Sequence, residues 1–369
     1  MPEKGEEVIL TVEGARWDGW KEVRIQRSMT QIAGTFALKL TDKYPGEPGR
    51  LRINDQSPCA VSIGGTQVIK GFVDKFNPAY SDSSHDINVA GKDATADLAR
   101  CSILGPPTQW TQQTLLQIAN DICKPFGVPV VAEGGLLEID KPFFDVSANE
   151  GDAALSLINK LCQQRGVLPV SYGDGKLTLT TAEQARAGGS IQYPGNVKAG
   201  SANFDSSKRF SGYHIKGQGA ATGPANGWLG MVGDDRLEHQ QAYIAPTGKA
   251  EDGHIKRYLP KVILADAEGD TETFEKRAAW EATVRAGQSR KLNYTVTGWE
   301  YAAGRLWAIN TLCTVKDSFL GASGRWLLEG VTFIKSESQG TITQLGLVHP
   351  DAYKPMAQPE KIKSGYDYE

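Results

Sequence analysis

Long hydrophobic runs are missing from this sequence. No stretch of its 369 residues approaches the ~20 consecutive apolar residues that a membrane-spanning helix needs. Residues 1–8 are charged and lack the apolar centre of a secretory signal peptide. We therefore expect a protein without a membrane anchor that is synthesised and folded in the cytoplasm.

The sequence also lacks an excess of charge of one sign. It has 40 Lys and Arg residues against 43 Asp and Glu residues, which gives a formal net charge of −3. Proteins that bind nucleic acid without sequence preference usually carry a strongly basic face. The charge balance therefore argues against nucleic-acid binding as the main function.

Cysteines and histidines are few and widely spaced. The cysteines number five and include no Cys-x-x-Cys, so the sequence indicates neither a disulfide framework nor a zinc site and predicts free, mostly buried thiols. None of the five histidines has a second His or a Cys at metal-ligand spacing. His239 and His254 lie among acidic residues, which leaves a weak cation site open but favours solvated loop charges. The acidic residues concerned are Asp234, Asp235, Glu251 and Asp252.

Motifs of known catalytic chemistry are absent as well. The sequence contains no G-x-S-x-G and no Walker motif, and Gly217-Gln218-Gly219 lacks the rest of a dinucleotide-binding fingerprint. Asp93 and Asp97 flank the end of the first β-rich region, where a cap or a domain junction is favoured over acid–base catalysis. Asn293-Tyr294-Thr295 matches a glycosylation acceptor, which matters only in a secreted protein. We predict no enzymatic activity, no catalytic residues, no cofactor and no metal.

The tryptophans leave two interpretations open. They could form a sugar-binding platform, or they could pack in cores and subunit interfaces, and the second interpretation is favoured. The residues concerned are Trp17, Trp20, Trp228, Trp280, Trp299, Trp307 and Trp326.

Short alternating segments and 41 glycines indicate a mainly β protein. Five or six short strands are predicted between residues 8 and 92; residues 23–27, for example, alternate apolar and polar side chains. We assign residues 1–97 to a first small β-barrel. Residues 191–216 and 288–353 return to strand character and are assigned to a second barrel.

Helical periodicity appears between and within these β regions. Residues 111–124 and 149–165 are predicted amphipathic helices, the second capped by Asn149 and ended by Gly166. With the hairpin predicted over residues 167–180, they define an α+β domain at 98–190. Residues 217–287 form a predicted inserted loop and helix region, whose helix spans 271–286 and stops at Gly287. Residues 354–369 are a predicted flexible tail, because they are mostly polar and have no apolar period.

The two β regions repeat one order of elements. Residues 59–89 and 313–345 each read as a strand, a returning strand that contains a glycine (Gly71 or Gly330), and a closing strand. Any two β-meanders share some of this pattern, but the matching glycines and spacing favour two related barrels.

Several segments, in this order along the chain, resemble the Mu-type phage tail protein family, the baseplate hubs of contractile tails. The resemblance covers about residues 8–353, and no single motif is specific on its own. The segments are Ser62-Ile63-Gly64-Gly65, Gly71-Phe72-Val73-Asp74, Val89-Ala90-Gly91-Lys92-Asp93, Asp152-Ala153-Ala154-Leu155, Arg257-Tyr258-Leu259-Pro260, Ala279-Trp280-Glu281, residues 285–289, Val296-Thr297-Gly298-Trp299, and residues 304–310 and 345–353.

The resemblance implies a structural protein of the virion tail baseplate, assembled in the cytoplasm of a bacterial host. It implies a homotrimeric ring that joins the six-fold tail tube, or a tube adaptor, to a separate three-fold central spike protein. The family offers no catalytic residues to transfer. A tail-associated cell-wall hydrolase or glycan-binding module is the alternative function.

Overall fold

A computed structural model describes most of the chain. The described residues are 6–42, 53–82, 85–105, 107–133, 135–136, 138–149, 151–182, 186–217, 247–264 and 271–356. Within them the protein is mainly β, as predicted. The strands are β1 (Val8–Val12), β2 (Ala15–Trp17), β3 (Glu22–Ser28), β4 (Thr35–Asp42), β5 (Pro58–Ile63), β6 (Thr66–Tyr80), β7 (His85–Asp93), β8 (Gln109–Gln113), β9 (Val130–Ala132), β10 (Phe143–Ser147), β11 (Leu168–Val170), β12 (Leu177–Thr180), β13 (Arg186–Tyr193), β14 (Val197–Phe204), β15 (Gly212–Lys216), β16 (Thr247–Glu251), β17 (Pro260–Leu264), β18 (Arg290–Thr297), β19 (Glu300–Ala302), β20 (Arg305–Leu306), β21 (Thr311–Asp317), β22 (Ala322–Ser336) and β23 (Gly340–Val348).

Four α-helices lie between these strands in the described residues. They are α1 (Ala96–Arg100), α2 (Leu115–Cys123), α3 (Ala154–Arg165) and α4 (Thr271–Gln288). None of them is both long enough and apolar enough to span a membrane.

A 13-stranded sheet dominates the fold. Its strands follow the order β14-β18-β23-β22-β3-β4-β7-β6-β5-β1-β2, and β21 pairs with both β22 and β13. The predicted alternation is visible in β3, where Val23 and Ile25 are buried while Arg24 is exposed. Alternating side chains point to opposite faces of a strand, so one face of the sheet builds the core and the other remains polar.

The two halves of this sheet share one strand order. The N-terminal half runs β3-β4-β7-β6-β5 and the C-terminal half runs β14-β18-β23-β22-β21, and all these neighbours are antiparallel. Strand β3 also pairs with β22, which joins the halves into one sheet. The sequence repeat therefore reflects a real repeat of topology.

The glycines that suggested this repeat are not equivalent in the structure. Cys59 pairs with Gly71 in the first half, whereas Cys313 pairs with Trp326 in the second. Gly330 instead corresponds to Lys75, since each follows the bulge in its long strand. The repeat was predicted correctly, but the glycine match was a coincidence of spacing.

Both helices predicted for the α+β domain exist and begin later than predicted. Residues 111–113 belong to β8, which pairs with β10, and α2 starts after Thr114, whose side chain forms a capping box with Gln117. Helix α3 starts at Ala154 without a side-chain cap; Asn149 lies outside it and donates to Asp152. Gly166 ends α3 in the left-handed conformation, as predicted. Amphipathic periodicity fixed the buried face of each helix but not its first turn.

The chain divides into two compact units. One comprises the described parts of Met1–Asp205 and Gly287–Ala357, and the other lies within Ser206–Ala286. In the second unit, β15 pairs with β16 and β17, and the sequence assignment of residues 212–216 to the second barrel is therefore corrected. The reason is packing: Tyr213 and Ile215 are fully buried with Phe274 of α4.

The structure corrects two further expectations for residues 217–287. The region predicted as an inserted loop and helix also contains strands β16 and β17, which the polar sequence did not indicate. Gly287 does not stop α4, which continues to Gln288. A β-carbon at Gly287 would lie 2.4 Å from the backbone nitrogen of Ala352, so glycine is required for close packing there. Residues 218–246 and the predicted flexible tail from residue 357 onward lie outside the described residues.

Candidate assembly surface

Asp93 lies where the N-terminal half of the sheet meets the helical domain. It is the last residue of β7 and is 1% exposed. Its carboxylate accepts hydrogen bonds from the backbone nitrogens of Gly34 at 2.6 Å and Thr95 at 2.9 Å, from the Ser171 hydroxyl at 3.0 Å, and from the Thr95 hydroxyl. Burial raises the pKa of Asp93, and these hydrogen bonds oppose part of that rise. The residue acts as a junction, which is the role that the sequence favoured.

Arg27 connects the same junction to the C-terminal half. Its guanidinium donates to the carbonyl oxygens of Tyr172 at 2.9 Å and Trp307 at 3.3 Å, and it lies 5.6 Å from the ring centre of Phe333. Burial lowers the pKa of Arg27 to about 10, while the charge of Asp93 acts in the opposite direction. No motif in the sequence points to Arg27, although the alternation of β3 places it on the same inward face as Val23 and Ile25.

We expect Asp93→Asn to destabilise the protein by about 3 kcal/mol, because the new amide group replaces one acceptor oxygen and leaves buried donors without a partner. Urea unfolding followed by circular dichroism measures this change. The control is Asp97→Asn, since Asp97 forms an exposed pair with Arg100 at 2.7 Å, and we expect it to change stability by less than about 1 kcal/mol. Equal stability of the two variants would show that the hydrogen bonds of Asp93 do not hold the junction.

The other residues weighed from the sequence form no reactive cluster in the described part of the chain. The His254 side chain is exposed, and the Asp252 carboxylate pairs with the Arg209 guanidinium and accepts a hydrogen bond from the backbone nitrogen of His254. His239 with its acidic neighbours, Gln218, Gly219 and Trp228 lie outside the described residues. No group of three or more His, Cys, Asp and Glu residues among those described could hold a metal.

The tryptophans and cysteines serve mainly as core residues. Four tryptophans are buried in the sheet core, namely Trp20, Trp299, Trp307 and Trp326, and Trp17 packs against this core. The packing interpretation is therefore confirmed for these five tryptophans. All five cysteines are free, and Cys101 is the exposed one.

The polar face of the large sheet is continuous across both halves. It forms two open concavities of about 550 and 420 Å³, one over β14, β18, β23, β22 and β3, the other over β22, β3, β4, β7 and β6. The first is lined mainly by amide, hydroxyl and small side chains, whereas the lining of the second also includes Glu22, Arg24, Lys39 and Lys335. A small-molecule site usually combines an enclosed apolar cavity with a few placed polar groups, so these concavities fit a protein surface better than a ligand site.

Strands β14 and β6 each have an edge without a partner in the described residues, as do β2 and β13 elsewhere in the same sheet. Strand β14 pairs with β18 along one edge, and its other edge is free. The outer part of β6, residues 74–80, pairs with β7 alone, because β5 covers β6 only as far as Phe72. Two large aromatic side chains on β6 and β14 are exposed: Tyr80 is 86% exposed and Phe204 is 57% exposed. Exposed strand edges that carry apolar side chains are typical of sites where another chain adds to the sheet.

Comparison with known proteins identifies the class. Three family models match: "Mu phage baseplate assembly protein GpP-like, N-terminal" at residues 7–93, "Baseplate hub protein gp44-like, second domain" at 95–181, and "Mu phage baseplate assembly protein GpP, fourth domain" at 270–356. The fold and its sequence are those of a phage tail baseplate protein.

Individual relatives place the chain more narrowly. It is 29% identical to the baseplate hub protein gp44 of Escherichia phage Mu over 98% of this chain and 92% of that protein. It is 33% identical, with a TM-score of 0.79, to the 43 kDa tail protein of prophage MuSo2 from Shewanella oneidensis, over 95% of this chain and 100% of the other. A tail protein from Neisseria meningitidis MC58 shares the fold, with 20% identity, a TM-score of 0.76 and coverage of 96% and 100%. The chain belongs to the Mu-like baseplate hub family, and it is a structural baseplate hub protein of a phage tail.

Proposed function

We propose that this hub protein forms a three-fold ring that joins the six-fold tail tube, or a tube adaptor, to a three-fold central spike protein. The observation that carries this proposal is the repeat of strand order within one chain. Three chains with two like sheet halves each supply six like units around one axis, while the chain as a whole still repeats three times.

The symmetry of the proposed ring matches both a six-fold tube and a three-fold spike. A ring of identical chains has heterologous contacts, in which each protomer presents one surface to the neighbour on one side and a different surface to the neighbour on the other. In the described residues, each half of the sheet has one strand edge without a partner that suits such a contact, on β6 and on β14. Such a ring offers six equivalent platforms to a tube and three equivalent sites to a spike.

The proposed role requires no chemistry from the chain. We propose that it acts without catalysis, cofactor or metal and is assembled in the cytoplasm of the bacterial host. The similarity over nearly the whole chain to a baseplate hub protein of phage Mu supports this proposal. No observation on this protein favours the alternative, a cell-wall hydrolase or glycan-binding module.

The test is the mass of the purified full-length chain in solution. We expect light scattering at micromolar concentration to give three times the chain mass of 39.9 kDa. The mass should not depend on dilution within that range if the ring is closed. A mass of one chain would contradict the ring, and a mass of two or six chains would contradict its three-fold symmetry.

A further inference from the structure

We propose that β14 of one protomer adds, antiparallel, to the outer part of β6 in the neighbouring protomer, with Asn203 opposite Asn77. This inference rests on the proposed ring and states which residues would close it. It follows from one pairing inside the chain, which is transferred to the equivalent strand edges that have no partner in the described residues.

The template is the pairing of β3 with β22. Strand β3 is the first strand of the N-terminal half, and it lies along the outer part of β22 in the C-terminal half. Ile25 pairs with Phe333 there, and Thr332 pairs with Gln26. The two halves of one chain are therefore already joined by the type of contact that a ring would repeat between chains.

The repeat identifies the missing equivalent of this contact. Strand β14 holds the same place in the C-terminal half as β3 in the N-terminal half, and β6 corresponds to β22. No strand in the described residues pairs with the outer part of β6 or with the second edge of β14. One chain thus offers one edge of each type.

The register can be transferred residue by residue. The bulges in β6 and β22 equate Lys75 with Gly330, so Asn77 of β6 corresponds to Thr332 of β22. The paired residues can then be followed from β7 through β4 to β3, and from β23 through β18 to β14. This comparison equates Gln26 of β3 with Asn203 of β14. Because Thr332 lies opposite Gln26, the transferred register places Asn77 opposite Asn203.

This register also brings complementary side chains together. Phe76 and Phe204 become directly opposed on the core face, where the template has Val331 opposite Arg27. Cross-strand aromatic pairs stabilise antiparallel sheets, and this one would cover the exposed ring of Phe204. Lys75 falls opposite Asp205, which pairs opposite charges at the end of the ladder.

The burial difference between the two long strands supports the same occupant. Phe333 and Ile334 of β22 are 0% and 7% exposed because β3 covers them. Their equivalents in β6, Pro78 and Ala79, are exposed. Pro78 lacks a backbone donor, so it removes at most one hydrogen bond from the proposed ladder. A second copy of the chain supplies β14 to cover this strand, and each added copy leaves a new free edge until the ring closes.

Engineered disulfides test the register directly. In a Cys101→Ser background, the in-register pairs are Asn77→Cys with Asn203→Cys, and Ala79→Cys with Ser201→Cys. The matched controls recombine the same four sites as 77 with 201 and 79 with 203, which places the cysteines diagonally. Directly opposed residues lie closer than diagonal neighbours and nearer to disulfide geometry, so in-register pairs should oxidise at least about tenfold faster.

The products of oxidation test the proposed register separately from the three-fold ring. We expect oxidation of the in-register variants to end in a covalent trimer on a non-reducing gel, because each protomer carries one cysteine for each neighbour. A trimer by light scattering in which diagonal pairs oxidise as fast as in-register pairs, or in which none oxidises, would overturn the proposed register while the ring stands. A chain of monomer mass in light scattering would overturn both.

Discussion

Replacing Gly71 by alanine should prevent the N-terminal half of the large sheet from forming. A β-carbon at this position would lie 2.0 Å from the carbonyl oxygen of Lys92 and 2.5 Å from the Cα of Asp93. Both neighbours are backbone atoms of β7, so no side chain can rotate away and the strands must separate beside the junction carboxylate. We expect a loss of at least about 4 kcal/mol, seen as insoluble protein or a strongly lowered urea midpoint.

Gly330→Ala is the matched control, because the sequence alone makes the two glycines look equivalent. The nearest atom to a β-carbon at Gly330 is the carbonyl oxygen of Arg27, at an ordinary contact distance of 3.8 Å, and its backbone is not left-handed. We expect a change of less than about 1 kcal/mol. If both alanine variants were equally stable, or equally damaged, the close approach at Gly71 would not be the cause.

The second large effect concerns the buried ion pair of Arg209 and Asp252. Two parallel hydrogen bonds of 2.8 Å join the guanidinium to the carboxylate, and the side chains are only 7% and 8% exposed. We expect Asp252→Ala to destabilise the smaller unit by about 3–5 kcal/mol, because it leaves the arginine charge buried without this partner. Hydrogen exchange of the β15–β17 sheet measures the effect locally.

A double variant sharpens this test. Replacing both partners with apolar residues, as Arg209→Met with Asp252→Leu, should destabilise less than Asp252→Ala alone, since no buried charge remains. Glu281→Gln is the matched control in the same unit, because its pair with Arg285 on α4 is more exposed and contributes less than about 1 kcal/mol. A double variant worse than the single one would mean that shape, and not charge, dominates the site.

The same pair sets a pH dependence. Burial alone would raise the pKa of Asp252, but the hydrogen bonds from Arg209 and from the His254 backbone, together with the charges of both residues, outweigh it and hold the pKa below its ordinary value. A carboxylate with a lowered pKa stabilises the fold above the unfolded-state pKa of about 4 and loses that contribution as the pH falls further. The stability difference between the wild type and the Asp252→Ala variant should therefore shrink below about pH 4.

Local structure was largely readable from the sequence. Alternation located β3 within one residue at each end, and periodicity located the buried faces of α2 and α3. Helix starts were less accurate, because residues 111–113 satisfy a helical pattern yet pair as a strand with β10. A hydrophobic period records which face is buried and does not record whether a backbone hydrogen bond is local or long-range.

The junction was only half predicted. Asp93 was recognised as a junction residue because it ends a β region just before the texture changes. Arg27 was not recognised, because its partners Tyr172 and Trp307 lie far from it in sequence. Both partners accept through backbone carbonyls, which every residue type carries, so no side-chain pattern could reveal them.

The sequence by itself determined the order of the elements, their buried faces, the repeat of two β regions and the resemblance to Mu-type tail proteins. These properties depend on the pattern of apolar and polar side chains among residues that are close together in the sequence. The tertiary structure decided that β3 joins β22, that residues 212–216 pair outside the large sheet, and that β14 and the outer part of β6 have an edge without a partner in the described residues. Strand partners are chosen by packing of distant segments and by backbone hydrogen bonds that are the same for nearly every residue, so the sequence could not show them.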